Sequence, residues 1–244
     1  MTDKNNEAQP EIIIDSLQNN DYYVKEAYNS LRTNLKFSGT DIKTIFITSC
    51  QPNEGKSSVS FELARTLAED GKNTVFVDMD LRKSVVIGSK QIRTKNNAEF
   101  KGASHYLSGQ ASYEDIVYKT NIENLSMIIA GPEPPNPTGL IDSALFESMI
   151  NRLKETYDMI IIDTPPLGTV VDAALIAPYC DGAILLIQSN AISYRFAQGV
   201  KQQIEKTGCR LLGAVLNKVE PLKAGHYKTY GYSRYGYYNH YSSS

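Results

Sequence analysis

Short apolar runs alternate with longer amphipathic stretches along most of this 244-residue chain. The apolar runs are rich in β-branched residues and apolar at successive positions, so they predict strands that are buried on both faces. These runs are residues 44–48, 74–77, 125–129, 159–162, 183–187 and 211–216. Helical spacing falls between them, at residues 56–69, 142–157 and 194–206, and more weakly from Ser112. This order predicts an α/β fold with a doubly wound, mostly parallel sheet that is flanked by helices.

The two ends of the chain differ in pattern from its middle. Residues 1–20 are polar and acidic, which predicts a flexible N-terminal segment. A helix is predicted next, over residues 22–37. Its apolar stripe consists of Tyr23, Ala27, Leu31 and Leu35. Residues 21–220 are therefore predicted to form one domain, in which the polar residues 85–104 make a surface excursion. Residues 221–244 are a low-complexity stretch of Tyr, Gly and Ser, which predicts a disordered tail.

Composition limits the classes of protein to which this chain can belong. Hydrophobic residues make up 41% and charged residues 21%, which is typical of a soluble globular protein. No apolar run approaches the ~18 residues of a membrane span, and the polar start does not resemble a secretory signal. The three cysteines, Cys50, Cys180 and Cys209, are widely spaced, which favours a reducing compartment over a disulfide framework or zinc site. We therefore expect a cytoplasmic protein, and a net charge of −2 gives no indication of nucleic-acid binding.

Charge and tyrosine are concentrated in the tail. Residues 221–244 contain no Asp or Glu and carry a charge of +3, whereas the rest of the chain carries −5. The tail also holds seven of the sixteen tyrosines in the chain. These are Tyr227, Tyr230, Tyr232, Tyr235, Tyr237, Tyr238 and Tyr241.

The strongest chemical signal is the segment Ser-Cys-Gln-Pro-Asn-Glu-Gly-Lys-Ser at residues 49–57, between a predicted strand and a predicted helix. Main-chain N–H groups at such a helix start form an anion site, so this position suits a phosphate-binding loop. Lys56 is expected to reach the β- and γ-phosphates of ATP, and the Ser57 hydroxyl to bind Mg²⁺. Cys50 stands where the usual loop pattern begins with glycine. The predicted nucleotide-binding residues of the loop are Asn53, Glu54, Gly55, Lys56, Ser57 and Ser58.

Carboxylates follow two further predicted strands. Asp78 and Asp80 end one of them, and residues two apart in a strand point to the same side. Both are therefore expected to face the site at the carboxyl ends of the strands, where ligands bind in open α/β sheets. Asp163 follows four apolar residues, which is the Walker B arrangement. The predicted metal ligands are Ser57, Asp78 and Asp163, and the predicted catalytic residues are Lys56, Asp78 and Asp80.

Each of these features also has a plainer structural interpretation. A Gly-Lys-Ser triplet can occur by chance in a βα turn, and the Asp-x-Asp pair can be a solvated turn. Asn217 at the end of the last strand is predicted to meet the nucleotide base, although asparagine at a strand end is often only a turn residue. Three such motifs in this order, each directly after a strand, favour a nucleotide site.

Taken together, these stretches resemble the bacterial tyrosine kinases of capsule and exopolysaccharide clusters, of the CpsD/CapB type. This family lies within the MinD/ParA-like P-loop superfamily. The resemblance is carried by residues 49–57, 77–82, 131–137 and 162–166 and by the tyrosine-rich C terminus. MinD/ParA-type ATPases share the individual motifs, but they carry a signature lysine where this chain has Gln51.

The resemblance implies an enzyme that uses ATP and Mg²⁺ to phosphorylate its own tail tyrosines in trans. It implies a homo-oligomeric ring, with an octamer as the expected size. It also implies a membrane activator, a polysaccharide co-polymerase whose cytoplasmic segment recruits the kinase to the inner face of the membrane. It further implies a cognate tyrosine phosphatase and a role in polysaccharide synthesis and export.

Subunit contacts are expected on the first helix. Members of the family carry Glu-x-x-Arg-x-x-Arg there, and this chain has Glu26, Asn29 and Arg32 at those positions. At 100° per residue these side chains form a polar ridge opposite the apolar stripe. Glu26 and Arg32 are therefore the predicted interface residues, although the middle arginine is absent.

Two other classes of function stay open from the residues alone. A partition-type switch ATPase of the MinD/ParA kind would explain the loop and carboxylates but not the tyrosine tail. A non-enzymatic module that binds RNA or a partner by aromatic stacking would explain the tail but not the three phosphate-site motifs.

Overall fold

The structure, a computed structural model, describes residues 9–17, 22–96 and 98–219. Its strands are β1 (Ile12–Ile14), β2 (Thr44–Ser49), β3 (Thr74–Asp78), β4 (Ile92–Thr94), β5 (Tyr118–Lys119), β6 (Leu125–Ile128), β7 (Met159–Asp163), β8 (Gly182–Gln188) and β9 (Leu211–Asn217). Its α-helices are α1 (Tyr22–Ser38), α2 (Lys56–Glu69), α3 (Val86–Lys90), α4 (Ala103–Leu107), α5 (Tyr113–Ile116), α6 (Pro137–Ile141), α7 (Ala144–Thr156), α8 (Asp172–Ile176) and α9 (Tyr194–Lys206).

A seven-stranded sheet forms the centre of the fold, in the order β5-β6-β3-β7-β2-β8-β9. Neighbouring strands are parallel throughout, except that β5 pairs antiparallel with β6 at one edge. The prediction of a doubly wound, mostly parallel sheet flanked by helices is confirmed. Since spatial order differs from chain order, β7 lies between β2 and β3, and the carboxyl ends of these three strands adjoin.

Apolar side chains cover both faces of the sheet. On β2, Phe46 belongs to one buried cluster and Ile45 and Ile47 to the other, because successive side chains of a strand point to opposite faces. Helix α7 contributes Phe146 to the first cluster, and α2 contributes Phe61 to the second. Fully burying such a side chain stabilises the fold by roughly 1.5–3 kcal/mol. The strands are therefore held from both sides, which fixes the polar residues at their carboxyl ends.

The prediction of a flexible segment over residues 1–20 is wrong for residues 9–17. Strand β1 pairs antiparallel with β4, and Ile12 and Ile14 are buried. The Ile14 N–H also donates to Asn121 Oδ1 at 2.9 Å. The polar surroundings of this short isoleucine run conceal a strand, because its partner lies about 80 residues away in the sequence.

Residues 85–104 also differ from the predicted surface excursion, because they contain α3, β4 and the start of α4. Val86 and Ile92 are buried there, and so is Lys90. The Lys90 ammonium donates to Glu62 Oε1 on α2 at 2.9 Å. A buried lysine needs such a partner, since an unpaired charge is costly to desolvate. The hydropathy pattern predicts that this lysine is exposed, so the packing of α3 against α2 could not be predicted from it.

Helix α1 confirms the predicted helix but not its whole apolar stripe. Leu35 is buried and Leu31 is half-buried, whereas Tyr23 is 78% exposed. Ala27 is exposed, and its neighbour Tyr28 is half-buried instead. Burial raises the pKa of Tyr28 to about 12, and the nearby Glu62 contributes to the rise. Helix α1 therefore packs on the body of the protein mainly through its second half. Among the described residues, no helix has both the length and the apolar character that a bilayer crossing requires.

Candidate active site

The three predicted motifs lie side by side at one edge of the sheet. The loop that ends at Gly55 follows β2, Asp163 ends β7 and Asp78 ends β3. Asp78 and Asp163 are register partners across β3 and β7, and Ile47 is the partner of Asp163 on β2. Neighbouring strands are ~4.8 Å apart, so the phosphate-binding loop and both carboxylates share one site.

Gly55 sets the conformation of the loop where it enters α2. Its φ of +96° lies in the left-handed region, and a Cβ at this position would collide with Asn217 Nδ2. No side chain caps the first turn of α2, so its main-chain N–H groups are left for an anion. Lys56, Ser57 and Ser58 form this turn, as the phosphate-binding prediction requires.

Glu54 holds the loop from inside. Its side chain is buried and accepts the Gln51 N–H at 2.8 Å and the Gln188 N–H, at the end of β8, at 3.1 Å. Glu54 was predicted to bind nucleotide, but its carboxylate is used to fix the loop on the neighbouring strand. Only its main chain can therefore take part in phosphate binding.

Asn217 and Lys218 hold the loop from outside. Asn217 Nδ2 donates to Glu54 O at 2.8 Å, and the Lys218 ammonium donates to Asn53 O at 2.6 Å. With Gln188, these groups form what we call the loop bracket: Glu54, Gln188, Asn217 and Lys218. The amide nitrogen of Asn217 is occupied in this way, and its contact with the nucleotide base stays a prediction.

Lys56 and Asp163 are buried together behind the loop. The Ser60 hydroxyl donates to Asp163 Oδ1 at 3.1 Å. Burial raises the pKa of Asp163 to about 6, although the nearby Lys56 ammonium lowers it. The second oxygen, Oδ2, is buried and accepts no hydrogen bond from the described residues. Asp163 thus offers an oxygen lone pair to a ligand.

Asp78 is the most strongly perturbed carboxyl group of the site. Burial raises its pKa well above the ordinary value, and the neighbouring Asp163 raises it further. Its oxygens accept the Ser84 hydroxyl and, at 3.2 Å, the Asp80 N–H. Two buried carboxyl groups on adjacent strands repel each other when both are ionised, and a cation between them would relieve that repulsion.

Asp80 reaches the site from a turn rather than from an extended strand. Strand β3 ends at Asp78, and Asp80 Oδ1 accepts the Lys83 N–H at 3.1 Å. The expected alternation of the strand therefore does not extend to Asp80. Its charge nevertheless raises the pKa of both Asp78 and Asp163, so the three carboxylates share one electrostatic environment.

The oxygen donors of the site fit Mg²⁺. Magnesium is commonly bound by one or two carboxylates together with water and substrate phosphates. Asp163 Oδ2 lacks a partner among the described residues, Asp78 lies beside it, and Ser57 begins α2 next to Lys56. In the described part of the chain, no group of three or more His, Cys, Asp and Glu forms a metal site by itself. The arrangement therefore suits a metal that arrives with nucleotide phosphates.

The predicted interface residues lie away from this site. Asn29 Nδ2 donates to Glu26 Oε1 at 3.1 Å on the exposed side of α1. Arg32, in contrast, pairs with Asp70 at the end of α2 within the same chain. The ridge is therefore not wholly opposite the packed face, because one of its members contacts the body of the protein. The interface role of Glu26 and Arg32 stays a prediction.

The seven tail tyrosines and all of residues 220–244 lie outside the described residues. Burial, with Glu54 nearby, raises the pKa of the Cys50 thiol to about 12, so this thiol stays protonated at neutral pH.

The sequence did not lead us to Ser60, which donates to Asp163. Its position four residues after Lys56 could have indicated it, since such residues share a helix face. Nor did the sequence lead us to Gln188 and Lys218, for which no local signal exists.

Known proteins are similar to this chain in both sequence and fold. The AAA domain family matches residues 42–209. Tyrosine-protein kinase CpsD of Streptococcus agalactiae is 43% identical over 225 residues, which cover 92% of this chain and 95% of that protein. The chain belongs to the CpsD/CapB family of tyrosine-protein kinases. Putative tyrosine-protein kinase CapB of Staphylococcus aureus is 35% identical over 209 residues, covering 85% of this chain and 90% of that protein.

A solved structure of the same family agrees with the fold. The crystal structure of the chimerical protein CapA2B2 is 34% identical and superposes with a TM-score of 0.74, covering 80% of this chain and 85% of that one. Membership of the CpsD/CapB family makes this chain a tyrosine-protein kinase of the MinD/ParA-like P-loop superfamily. It confirms the resemblance inferred from the motifs, and the P-loop fold implies nucleotide binding.

Proposed function

We propose that this kinase transfers the γ-phosphoryl group of ATP to the tyrosine cluster of its own C-terminal tail, in trans. Through that reaction it regulates the synthesis and export of a capsular polysaccharide or exopolysaccharide. One observation carries the proposal: a preformed phosphate-binding loop adjoins three carboxylates in a member of the tyrosine-kinase family. The switch-ATPase alternative has no comparable support.

The protein's contribution to the chemistry is positioning and charge. The first turn of α2 and the Lys56 ammonium hold the phosphates. Asp78, Asp163 and the Ser57 hydroxyl would hold Mg²⁺. Mg²⁺, when bound with the nucleotide, neutralises phosphate charge that develops during transfer. Asp80 and Asp78 orient the incoming tyrosine hydroxyl, and one of the two carboxylates accepts its proton as the new O–P bond forms and the bond from the γ-phosphorus to the bridging oxygen breaks, with ADP as the leaving group. Tyrosine has a pKa of ~10, so a modest base is sufficient.

The tail is proposed as the acceptor because of its composition. It combines seven tyrosines with a charge of +3, while the rest of the chain carries −5, so its first approach is favourable. Each phosphotyrosine adds roughly −1.5 to −2 charge at neutral pH. Four modifications would leave the tail at about −3 to −5, and it would then be repelled by the carboxylates and nucleotide phosphates. Phosphorylation thus limits itself and releases the tail.

Partners follow from the family and from the first helix. We propose a homo-oligomeric ring with Glu26 and Arg32 at the subunit contact. The cytoplasmic segment of a membrane activator would recruit the kinase to the inner face of the cell membrane, and a tyrosine phosphatase would reverse its reaction. No feature of the described residues indicates nucleic acid as a partner.

Intact mass after incubation of the full chain with ATP and Mg²⁺ tests the catalytic proposal. Several added phosphates are expected on the full chain and almost none on a chain truncated after Pro221. Truncation should leave nucleotide binding and thermal stability nearly unchanged, since the tail has almost no aliphatic residues to bury. ADP release without added phosphate would instead support a switch ATPase. Several phosphates on the truncated chain would place the acceptors elsewhere, for example at Tyr22 or Tyr23.

Light scattering before and after ATP–Mg²⁺ treatment tests the assembly proposal. The unmodified chain should form a large oligomer that shrinks after phosphorylation, and a Glu26→Ala/Arg32→Ala variant should stay monomeric. Because Arg32 also pairs with Asp70, Asp70→Asn is the matched control: it breaks that pair and should leave the oligomer intact. A wild-type chain that is monomeric even when concentrated would contradict the ring.

A further inference from the structure

Three loops at the carboxyl edge of the sheet meet at one buried carboxylate. Asp172, at the start of α8, is 1% exposed. Arg82 Nε donates to Asp172 Oδ2 at 2.6 Å, and Arg82 Nη2 donates to Oδ1 at 3.0 Å. The Thr138 hydroxyl donates to Oδ1 at 2.8 Å and accepts from Arg82 Nη2 at 2.8 Å. We call these three residues the loop clamp.

The clamp joins segments that are distant in sequence. Arg82 belongs to the loop after β3, Thr138 to the first turn of α6, and Asp172 is the first residue of α8. A planar guanidinium that pairs with both carboxylate oxygens fixes orientation as well as distance. The Asp172 carboxylate does not cap α8, whose N-cap is Val171 without a side-chain hydrogen bond; it is turned toward Arg82 instead.

Arg82 lies in the middle of the turn that carries the catalytic carboxylates. Two residues before it, Asp80 accepts the Lys83 N–H, and two residues after it, the Ser84 hydroxyl donates to Asp78. A change in the position of Arg82 would therefore move both ends of the turn. Within the described part of the chain, the side-chain hydrogen bonds of the clamp run among its three members and not to the phosphate-binding loop or the loop bracket.

We propose that Arg82, Thr138 and Asp172 are positioning residues that act through the 80–84 turn to hold Asp80 and Asp78 for phosphoryl transfer. The proposal rests on the autokinase activity proposed above. It predicts that loss of the clamp lowers the rate of phosphoryl transfer and raises the Mg²⁺ concentration that the reaction needs, while the affinity for ATP is unchanged.

The test compares initial rates of phosphate incorporation by the full chain with Arg82→Gln, Asp172→Asn and the double variant. Each single change should lower kcat about tenfold, because small misplacements of reacting groups are costly, while KM for ATP stays within about twofold. The double variant should lose no more than the worse single variant, since either change already breaks the pair. Mg²⁺ for half-maximal rate should rise in all three.

Two sets of controls separate positioning from general damage. Thr138→Ser keeps the hydroxyl and should keep wild-type kcat, whereas Thr138→Val removes it and should lower kcat while KM for ATP and most of the thermal stability are kept. Arg152→Gln and Glu114→Gln break an exposed Arg–Glu pair and should leave the rate unchanged.

Two outcomes would overturn the clamp. One is wild-type kcat and Mg²⁺ dependence in Arg82→Gln and Thr138→Val. The other is a parallel loss of kcat, ATP affinity and thermal stability in all clamp variants, Thr138→Val included. Failure of the wild-type chain itself to take up phosphate would instead contradict the proposed autokinase function, so the two failures are distinguishable.

Discussion

The phosphate-binding loop and the carboxylate cluster are neighbours, but they are held in opposite ways. In the loop, the Glu54 side chain accepts two main-chain N–H groups and the Glu54 carbonyl accepts from Asn217 on β9. The main chain of the loop is already shaped for phosphate. In the cluster, Asp78 and Asp163 are buried side by side, and burial raises the pKa of both. The loop is therefore stable without ligand, whereas the cluster carries a free-energy cost that a metal and its nucleotide would offset.

Replacing Lys56, which lies between the two regions, should have the largest effect. Lys56→Met removes a charge that stabilises the transferring phosphoryl group, so phosphate incorporation should fall by about 10²–10³-fold while the fold stays intact. Intact mass and a thermal melt check both parts. Lys206→Met, which removes an exposed lysine, is the control and should keep full activity. Normal tail phosphorylation by Lys56→Met would refute the site assignment.

Changes in the carboxylate cluster should come next. Asp163→Asn and Asp80→Asn each remove a negative charge from the metal environment, so activity should fall roughly 10–100-fold at limiting Mg²⁺. Raising the Mg²⁺ concentration should restore part of the rate. Initial rates measured over a range of Mg²⁺ concentrations test this, and wild-type rates for both variants at limiting Mg²⁺ would contradict it.

The same Asp163→Asn variant should be more stable than the wild type without ligand. The pKa of Asp163 is about 6 in the fold, above its ordinary value of 3.8, so ionisation is disfavoured in the folded state. Its stabilising contribution is full below pH ~3.8 and is lost as the pH rises through 6. At pH 7.5 the asparagine should therefore raise the free energy of unfolding by about 1–3 kcal/mol, and by less at pH 5.

Urea unfolding at both pH values, without nucleotide and Mg²⁺, measures this difference. Asp41→Asn, which changes an exposed carboxylate, is the control for the loss of one negative charge. If Asp163→Asn is destabilised at pH 7.5 and the loss shrinks at pH 5, burial of Asp163 carries no cost and the contrast between the two regions is wrong.

The loop bracket should show the smallest effect. Asn217→Ala removes one hydrogen bond to the loop and should cost about 1 kcal/mol, which corresponds to roughly fivefold to tenfold weaker binding of ADP. Asn73→Ala is the matched control, because its amide also donates to a main-chain carbonyl, that of Thr156, far from the loop. Calorimetric titration with ADP compares the two. Equal weakening in both variants would show that the bracket does not shape the loop.

Local patterns predicted much of this fold. Helices α2 and α9 match their predicted bounds. Helix α9 is amphipathic and buries Val200 and Ile204, whereas α2 is buried at every position from residue 59 to residue 68. Six strands of the large sheet are apolar on both faces, so their positions along the chain, and the carboxylates that follow two of them, could be predicted from the sequence. The apolar runs also placed Asp78 and Asp163 at strand ends, which brought them into one site.

Long-range pairings were not predictable in the same way. Strand β1 was missed because β4 lies far along the chain, and Lys90 because its burial depends on Glu62. Arg32 was placed on an exposed ridge, since nothing near it in sequence indicates Asp70. Glu54 was assigned to nucleotide from its motif, and only the fold shows that its carboxylate holds the loop.

The loop bracket also bears on how the protein acquires its activity during synthesis. It joins residues 53–54 to residues 217–218, in hydrogen bonds whose partners are 163 and 165 residues apart in the sequence. Contacts of such long sequence separation form late in folding, because the intervening chain must first be ordered. A nascent chain that has emerged only as far as β8 contains the complete phosphate-binding motif but not Asn217. We therefore expect the chain to reach its full affinity for ATP only when the last strand has left the ribosome, and incomplete chains to bind nucleotide more weakly.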